Sequence, residues 1–244
     1  MNNSSFHGIR ETIKTIIYAV LIALVIRTVA YEPFNIPSGS MIPTLLVGDY
    51  LFVSKFSFGY SRHSLPLSPP LIPGRIFFSE PEWGDVVVFK LPADNKTDYI
   101  KRIIGLPGDR IQLIDGILNI NGEQVKRERT EDYVVRNHNG DIRRISRYIE
   151  TLPNGRRHHI LEVSDRGPYD NTDLYIVPAG HYFVMGDNRD RSRDSRFLGD
   201  IGFVPVENLV GRAEFLFFSI DDKVWKIWKW ADSVRFERLF QGIE

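Results

Sequence analysis

The sequence predicts a mainly β protein: an antiparallel β-rich core with a smaller inserted β subdomain, preceded by one N-terminal transmembrane helix. Three observations carry this. Short runs rich in Val, Ile, Tyr and Phe recur after Tyr31, broken by Gly, Pro, Asn and Asp. Asp115-Gly116 and Asn121-Gly122 bracket Ile117 to Ile120 as hairpin signals, which favours antiparallel pairing over βαβ units. Residues 13 to 30 form one apolar stretch, charged only at Lys14 and Arg27 near its ends.

That stretch is apolar around the whole helical circumference, so it has no polar face to turn to solvent. As a helix it spans about 27 Å at about 1.5 Å per residue, against a hydrocarbon core of about 30 Å, provided both charges snorkel. A cleaved secretory signal is the competing reading, with Thr28-Val29-Ala30 resembling a small-residue cleavage site. Arg10 and Lys14 outnumber Glu11 before the span, which places the N-terminus in the cytoplasm and the chain after Tyr31 outside.

Beyond the span, strands are expected at Tyr50 to Val53, Val86 to Phe89, Tyr99 to Ile104, Arg110 to Ile114, Ile117 to Ile120, Tyr182 to Met185 and Ala213 to Phe218. Ser54 to Glu82, rich in Pro, Ser and Phe, reads as a long surface excursion. Residues 127 to 173 are polar and charged, with Asn139-Gly140 and Asn154-Gly155 turns, and read as an inserted hairpin subdomain. The core is then 31 to 126 with 174 to 220, after a tail at 1 to 12 and a span at 13 to 30. Residues 221 to 244 mix Trp225, Trp228 and Trp230 with lysines, a composition suited either to a membrane interface or to a terminal helix packed on the sheet.

The 244 residues carry 31 basic and 31 acidic side chains, so the overall balance does not favour nucleic acid as a partner. The absence of cysteine excludes disulfides, thiolate catalysis and Cys-ligated zinc, and the six histidines show no zinc-binding spacing. No cofactor and no metal is expected. Asp190-x-Ser192-x-Asp194 has the rhythm of a calcium loop, but Ser195 stands where the turn glycine belongs and Ile201 where the bidentate glutamate belongs.

Two stretches bear chemistry. In an extended Ser38-Gly39-Ser40 both hydroxyls face one side, and Gly39 leaves room for a peptide backbone. A plain Ser/Gly/Pro turn is the bland alternative. Alternation along Tyr99 to Ile104 puts Lys101 between Tyr99 and Ile103 on one face, where it either snorkels to solvent, as most strand lysines do, or is desolvated so that its pKa falls toward a base's range. A serine hydroxyl needs such a base to become a nucleophile. The charged run Gly186 to Arg196 reads either as a solvated loop or as a network in which Ser192 orients Lys101 and Asp194 pairs with Arg196. A Ser40, His181, Asp187 triad fits by residue type alone.

Taken in order, Ile36-Pro37-Ser38-Gly39-Ser40-Met41, Trp83-Gly84-Asp85-Val86-Val87-Val88-Phe89, Tyr99-Ile100-Lys101-Arg102, Gly105-Leu106-Pro107-Gly108-Asp109 and Gly186-Asp187-Asn188-Arg189-Asp190 resemble the bacterial type I signal peptidases, membrane-bound Ser-Lys proteases. The resemblance implies a serine endopeptidase that removes signal peptides from exported preproteins, with Ser40 as nucleophile and Lys101 as general base. It implies an oxyanion hole at Ser38 and the Ser40 N–H, base orientation by Ser192, and a brace of Asp194 with Arg196. It also implies a small-residue pocket at Ile36, Met41, Leu45, Tyr99 and Ile100. The setting it implies is a single-pass protein of the bacterial cytoplasmic (inner) membrane, catalytic on the periplasmic side, with preproteins and the lipid bilayer as partners. A membrane-tethered β module that binds exported proteins without chemistry is the alternative.

Overall fold

The computed structural model describes residues 3–66, 68–136 and 141–243, so the Asn139-Gly140 turn lies outside the described residues. The chain begins with α1 (Asn3–Val29), followed by β1 (Tyr31–Asn35), β2 (Asp49–Ser54), β3 (Tyr60–Ser61), β4 (Arg75–Ile76), β5 (Val86–Lys90) and β6 (Asp98–Gly105). Next come β7 (Arg110–Ile114), β8 (Ile117–Ile120), β9 (Glu123–Gln124), β10 (Lys126–Arg129), β11 (Tyr133–Arg136), β12 (Ile142–Thr151) and β13 (Arg157–Glu162). The last elements are β14 (Tyr175–Ile176), β15 (His181–Met185), β16 (Val204–Pro205), β17 (Leu209–Ser219) and α2 (Trp230–Ser233).

Within α1, Arg10–Val29 is long and apolar enough to cross a membrane, and none of it is buried in the protein. Its end is tied to the body: Arg27 Nε donates to Glu32 on β1 at 2.9 Å, and the Tyr60 hydroxyl donates to the Val29 carbonyl at 2.7 Å. Glu32 also pairs with the buried Lys55 at 2.8 Å.

The main sheet has the order β1-β2-β17-β5-β6-β15-β16, antiparallel throughout. Val86 and Val88 pack with Met41, Leu45 and Leu51 on one side, while Val87 and Phe89 pack with Ile103 and Val184 on the other. A strand covered on both faces has no reason to alternate apolar with polar, which accounts for the unbroken Val-Val-Val-Phe run. β6 lies inside this sheet between β5 and β15, the most protected position a strand can take.

A second sheet, β14-β7-β8-β9, buries Ile111, Leu113, Leu118 and Ile120. Its first hairpin turns through Asp115 at φ 49° and Gly116 at φ 72°, the paired positive angles of a type I′ turn. A third sheet places β12 between β10 and β11, with β13 also paired to β12. It is joined to the body through Arg189, whose guanidinium forms a bidentate pair with Glu150, both fully buried, and through the Leu161 N–H, which donates to the Asp187 carbonyl at 2.8 Å.

Two segments differ from the sequence reading. The excursion after Ser54 exposes Leu71 and Phe77 but buries Phe58 in the core, and Arg75 staples it down by donating to the Phe58, Gly59 and Val206 carbonyls. Among the described residues the C-terminal segment has one short α-helix, Trp230–Ser233, with single 3-10 turns at Ile227–Lys229 and Phe236–Arg238. It is held instead by polar contacts, with Arg235 and Arg238 on the buried Asp49, and by backbone bonds of Phe240, Gln241 and Ile243 to β17. Trp230 packs on Phe218, whereas Trp225 and Trp228 are 65% and 73% exposed.

Removing Glu150 strands the buried Arg189 charge. Glu150→Ala is expected to cost about 3–5 kcal/mol in denaturant unfolding, while Arg157→Ala, which loses only an exposed, solvent-screened pair with Glu128, leaves the unfolding midpoint essentially unchanged.

Candidate active site

Ser40 sits in the turn that links β1 to β2. The sequence reading took Ser38-Gly39-Ser40 as extended; the segment is bent instead, entering a turn in which the Leu45 N–H donates to the Met41 carbonyl at 2.9 Å. Asn188 holds that bend from the facing loop, its backbone N–H donating to the Ser40 carbonyl at 3.0 Å and its side-chain amide to the Gly39 carbonyl at 2.8 Å. The two hydroxyls share one cleft even so, because Ser38 and Ser40 both line it.

Lys101 projects from β6 opposite Val87 and is 3% exposed. Its Nζ donates to Ser40 Oγ at 2.6 Å and to the Ile100 carbonyl at 2.9 Å. Burial pushes the amine down to about 8 from its ordinary 10.5, against the opposing fields of Asp194 and Asp187. Neither carboxylate is free to pair with it. Asp187 accepts from Arg102 Nε at 2.9 Å and from a second Arg102 nitrogen at 2.7 Å, with Thr44 Oγ1 donating as well. Asp194 forms a bidentate pair with Arg196 at 2.8 and 2.9 Å and also accepts from the Gly186 N–H at 3.1 Å. Burial is the largest single influence and pushes both acids up, but the paired guanidinium's charge and hydrogen bonds, with those of Thr44 on Asp187 and of Ser192 and the Gly186 N–H on Asp194, together hold both below their ordinary carboxylate value.

Ser192 lies beside this network. Its Oγ is buried and close enough to Asp194 to stabilise that carboxylate, but among the described residues it has no hydrogen-bond partner of good geometry, Lys101 included. Gly186 is what permits the crowding: a Cβ there would fall 2.2 Å from Ser192 Oγ and 2.5 Å from the Ser40 carbonyl.

A cleft of about 390 Å³ opens over Ser40 and Lys101, walled by Ile36, Tyr99 and Ile100. Met41 and Leu45 do not reach it; both are fully buried in the core cluster that contains Ile36 and supports Ile100. The histidine alternative is not assembled. His181 Nδ1 contacts the Ala179 carbonyl at 2.9 Å beside β16, and Asp187 is occupied by Arg102. Sequence reasoning missed the parts Thr44, Arg102 and Asn188 play in this site. Arg102 and Asn188 stand within the motifs already singled out, but nothing in residue type tells an arginine that braces a carboxylate from one on the surface.

The family model described as "Signal peptidase, peptidase S26" matches residues 9–218. A signal peptidase I of Rickettsia typhi is 41% identical, covering 99% of this chain and 97% of the relative, and one of Rickettsia canadensis is 43% identical over 94% and 92%. A crystal structure of a signal peptidase I from Enterococcus faecalis is 30% identical, covers 55% of this chain and 97% of that one, and aligns with a TM-score of 0.32. These matches make the chain a serine-type endopeptidase. The chain belongs to the signal peptidase, peptidase S26 family.

Keeping Lys101 in this environment carries a stability cost. The unfolded lysine holds its proton up to about 10.5 and the folded one releases it near 8, so the penalty is full below pH 8 and fades as pH rises to 10.5. Lys101→Met is therefore expected to stabilise the protein at pH 7 by on the order of 2 kcal/mol, a proton-release penalty of about 3 kcal/mol less the lost hydrogen bonds. Thermal unfolding across this pH range should show the gain shrinking as the solution becomes more basic; a destabilised variant at pH 7 contradicts it.

Proposed function

We infer that the chain is a membrane-anchored endopeptidase that removes N-terminal signal peptides from exported preproteins, with Ser40 as nucleophile and the neutral amine of Lys101 as its general base. The observation that carries this is the 2.6 Å contact between a buried lysine amine and a serine hydroxyl at the floor of a peptide-sized cleft, in a chain of this family.

Ser40 Oγ attacks the scissile carbonyl while Lys101 Nζ accepts its proton. The tetrahedral oxyanion takes hydrogen bonds from the Ser40 N–H and the Ser38 hydroxyl, each such donor being worth about 10²–10³ in rate. The resulting ammonium then returns its proton to the departing amine, leaving an acyl-serine. A water deprotonated by the same amine releases the signal peptide and frees Ser40. Asp194 and Arg196 brace the loop behind Lys101, with Ser192 reaching the amine once substrate draws Ser40 Oγ away. Ile36, Tyr99 and Ile100 form the wall that admits a small side chain, over a floor stiffened by Met41 and Leu45.

The helix Arg10–Val29 supplies the anchor, with its N-terminus in the cytoplasm and Ser40 on the outer face of the inner membrane. Ser40 lies thirteen positions after Arg27, so the nucleophile stays within roughly 45 Å of the span's end, where a signal peptide leaves the bilayer. Exposed Trp225, Ile227 and Trp228 suit contact with lipid at the headgroup level.

Purified protein in detergent is expected to cleave a preprotein at one site, read by sequencing the new N-terminus. Ser40→Ala and Lys101→Met should each lose at least about 10³ in kcat. Lys101→Arg should be equally inactive, because a guanidinium keeps its proton. For the wild type, kcat/KM should climb about tenfold per pH unit up to about pH 8 and then level off. Undiminished cleavage by the Lys101 variants rejects the dyad.

A further inference from the structure

Outside the cleft, Glu162, Asp170 and Asp190 each bring a carboxylate oxygen to within 4.8 Å of the others. They come from three places: the last residue of β13, the loop that follows it, and the single helical turn Arg189–Arg191. Glu162 and Asp170 are buried, at 2% and 1% exposure, and Asp190 faces solvent.

Two features separate this cluster from an ordinary acidic patch. Among the described residues no cation pairs with any of the three carboxylates: the neighbouring Arg189 and Arg196 are spent on Glu150 and Asp194. The Glu162 carboxyl faces the other two, and among the described residues its Oε1 is an orphaned acceptor inside the protein. A buried carboxyl with no donor is costly, and two more carboxylates alongside make it costlier.

The other two acids are aimed by the backbone. The Val163 and Ser164 N–H groups donate to one Asp190 oxygen at 2.6 and 3.0 Å, and the Gly167 N–H donates to Asp170 Oδ2. Gly167 lets the pair approach, since a Cβ there would lie 3.1 Å from Asp170 Oδ2 and 3.2 Å from Asp190 Oδ1.

We propose that Glu162, Asp170 and Asp190 form a calcium site that clamps the inserted sheet to the loop bearing Asn188. The donor set is all oxygen, which selects a hard cation. With Glu162 and Asp170 buried, the ion must shed much of its water to bind, which calcium does far more readily than magnesium, and water completes the shell on the Asp190 side. Only Asp190 is shared with the Asp190-x-Ser192-x-Asp194 rhythm, whose Asp194 is committed to Arg196. The clamp reinforces the bridge between Leu161 and Asn188, and Asn188 in turn holds the bend at Ser40. The proposal stands independently of the role assigned to Lys101.

The full chain in detergent, stripped with EGTA and dialysed, is titrated calorimetrically with calcium chloride and in parallel with magnesium chloride, and thermal unfolding is recorded with each. The wild type should bind one calcium saturably, more tightly than magnesium, with a rise in Tm. Glu162→Gln and Asp170→Asn should each weaken binding by roughly tenfold or more and abolish the Tm rise. Should either fail to fold, Asp190→Asn on the exposed side gives the same reading. No saturable heat in the wild type at millimolar calcium, or affinity unchanged in the variants, overturns the proposal, as does magnesium binding as tightly as calcium.

Discussion

A lysine can lose its proton near neutral pH only where water is excluded and no carboxylate is free to pair with it. The organisation around Lys101 answers to that constraint. Two acids lie close enough to bias the amine toward its charged form, and each is occupied by an arginine: Asp187 by Arg102 and Asp194 by Arg196. These are buried pairs with further hydrogen bonds, the condition under which such pairs persist without excessive desolvation cost. Their arrangement leaves the amine with two neutral oxygens, Ser40 Oγ and the Ile100 carbonyl.

The architecture supplies the dryness. β6 runs inside a sheet covered on both faces, so Lys101 leaves the strand already surrounded by apolar side chains. Ser40 belongs to a different kind of element, a turn, and must be brought to the amine from outside the sheet. Asn188 does this through backbone acceptors on Gly39 and Ser40, and its own loop is fixed by Glu150 on Arg189 and by the strand-like contact of Leu161. The inserted sheet thereby bears on the site without contributing a side chain to the cleft.

Much of the fold was legible because it is local. The Val-rich runs, the alternation along Tyr99 to Ile104 and the two hairpin turns all lie where the observed strands and turns lie. The side of β6 that carries Lys101 was legible for the same reason. What sequence could not supply is contact between distant segments: Lys101 and Ser40 are 61 positions apart, Arg102 and Asp187 85. Residue type did not reveal that Met41 and Leu45 sit beneath the cleft rather than in its wall, or that the C-terminal segment is held by Arg235 and Arg238 on Asp49 instead of by a packed helix. The acidic cluster was invisible for a related reason, since Glu162, Asp170 and Asp190 have no common spacing.

The charge state of one amine therefore decides the account, and it can be read directly. Protein carrying lysine labelled with carbon-13 at the ε position, with Lys101→Met used to assign the resonance, reports each lysine's titration by NMR. The account predicts a lysine resonance that titrates near 8 and is absent from the variant. A Lys101 resonance that titrates at the ordinary lysine value of 10.5 contradicts it.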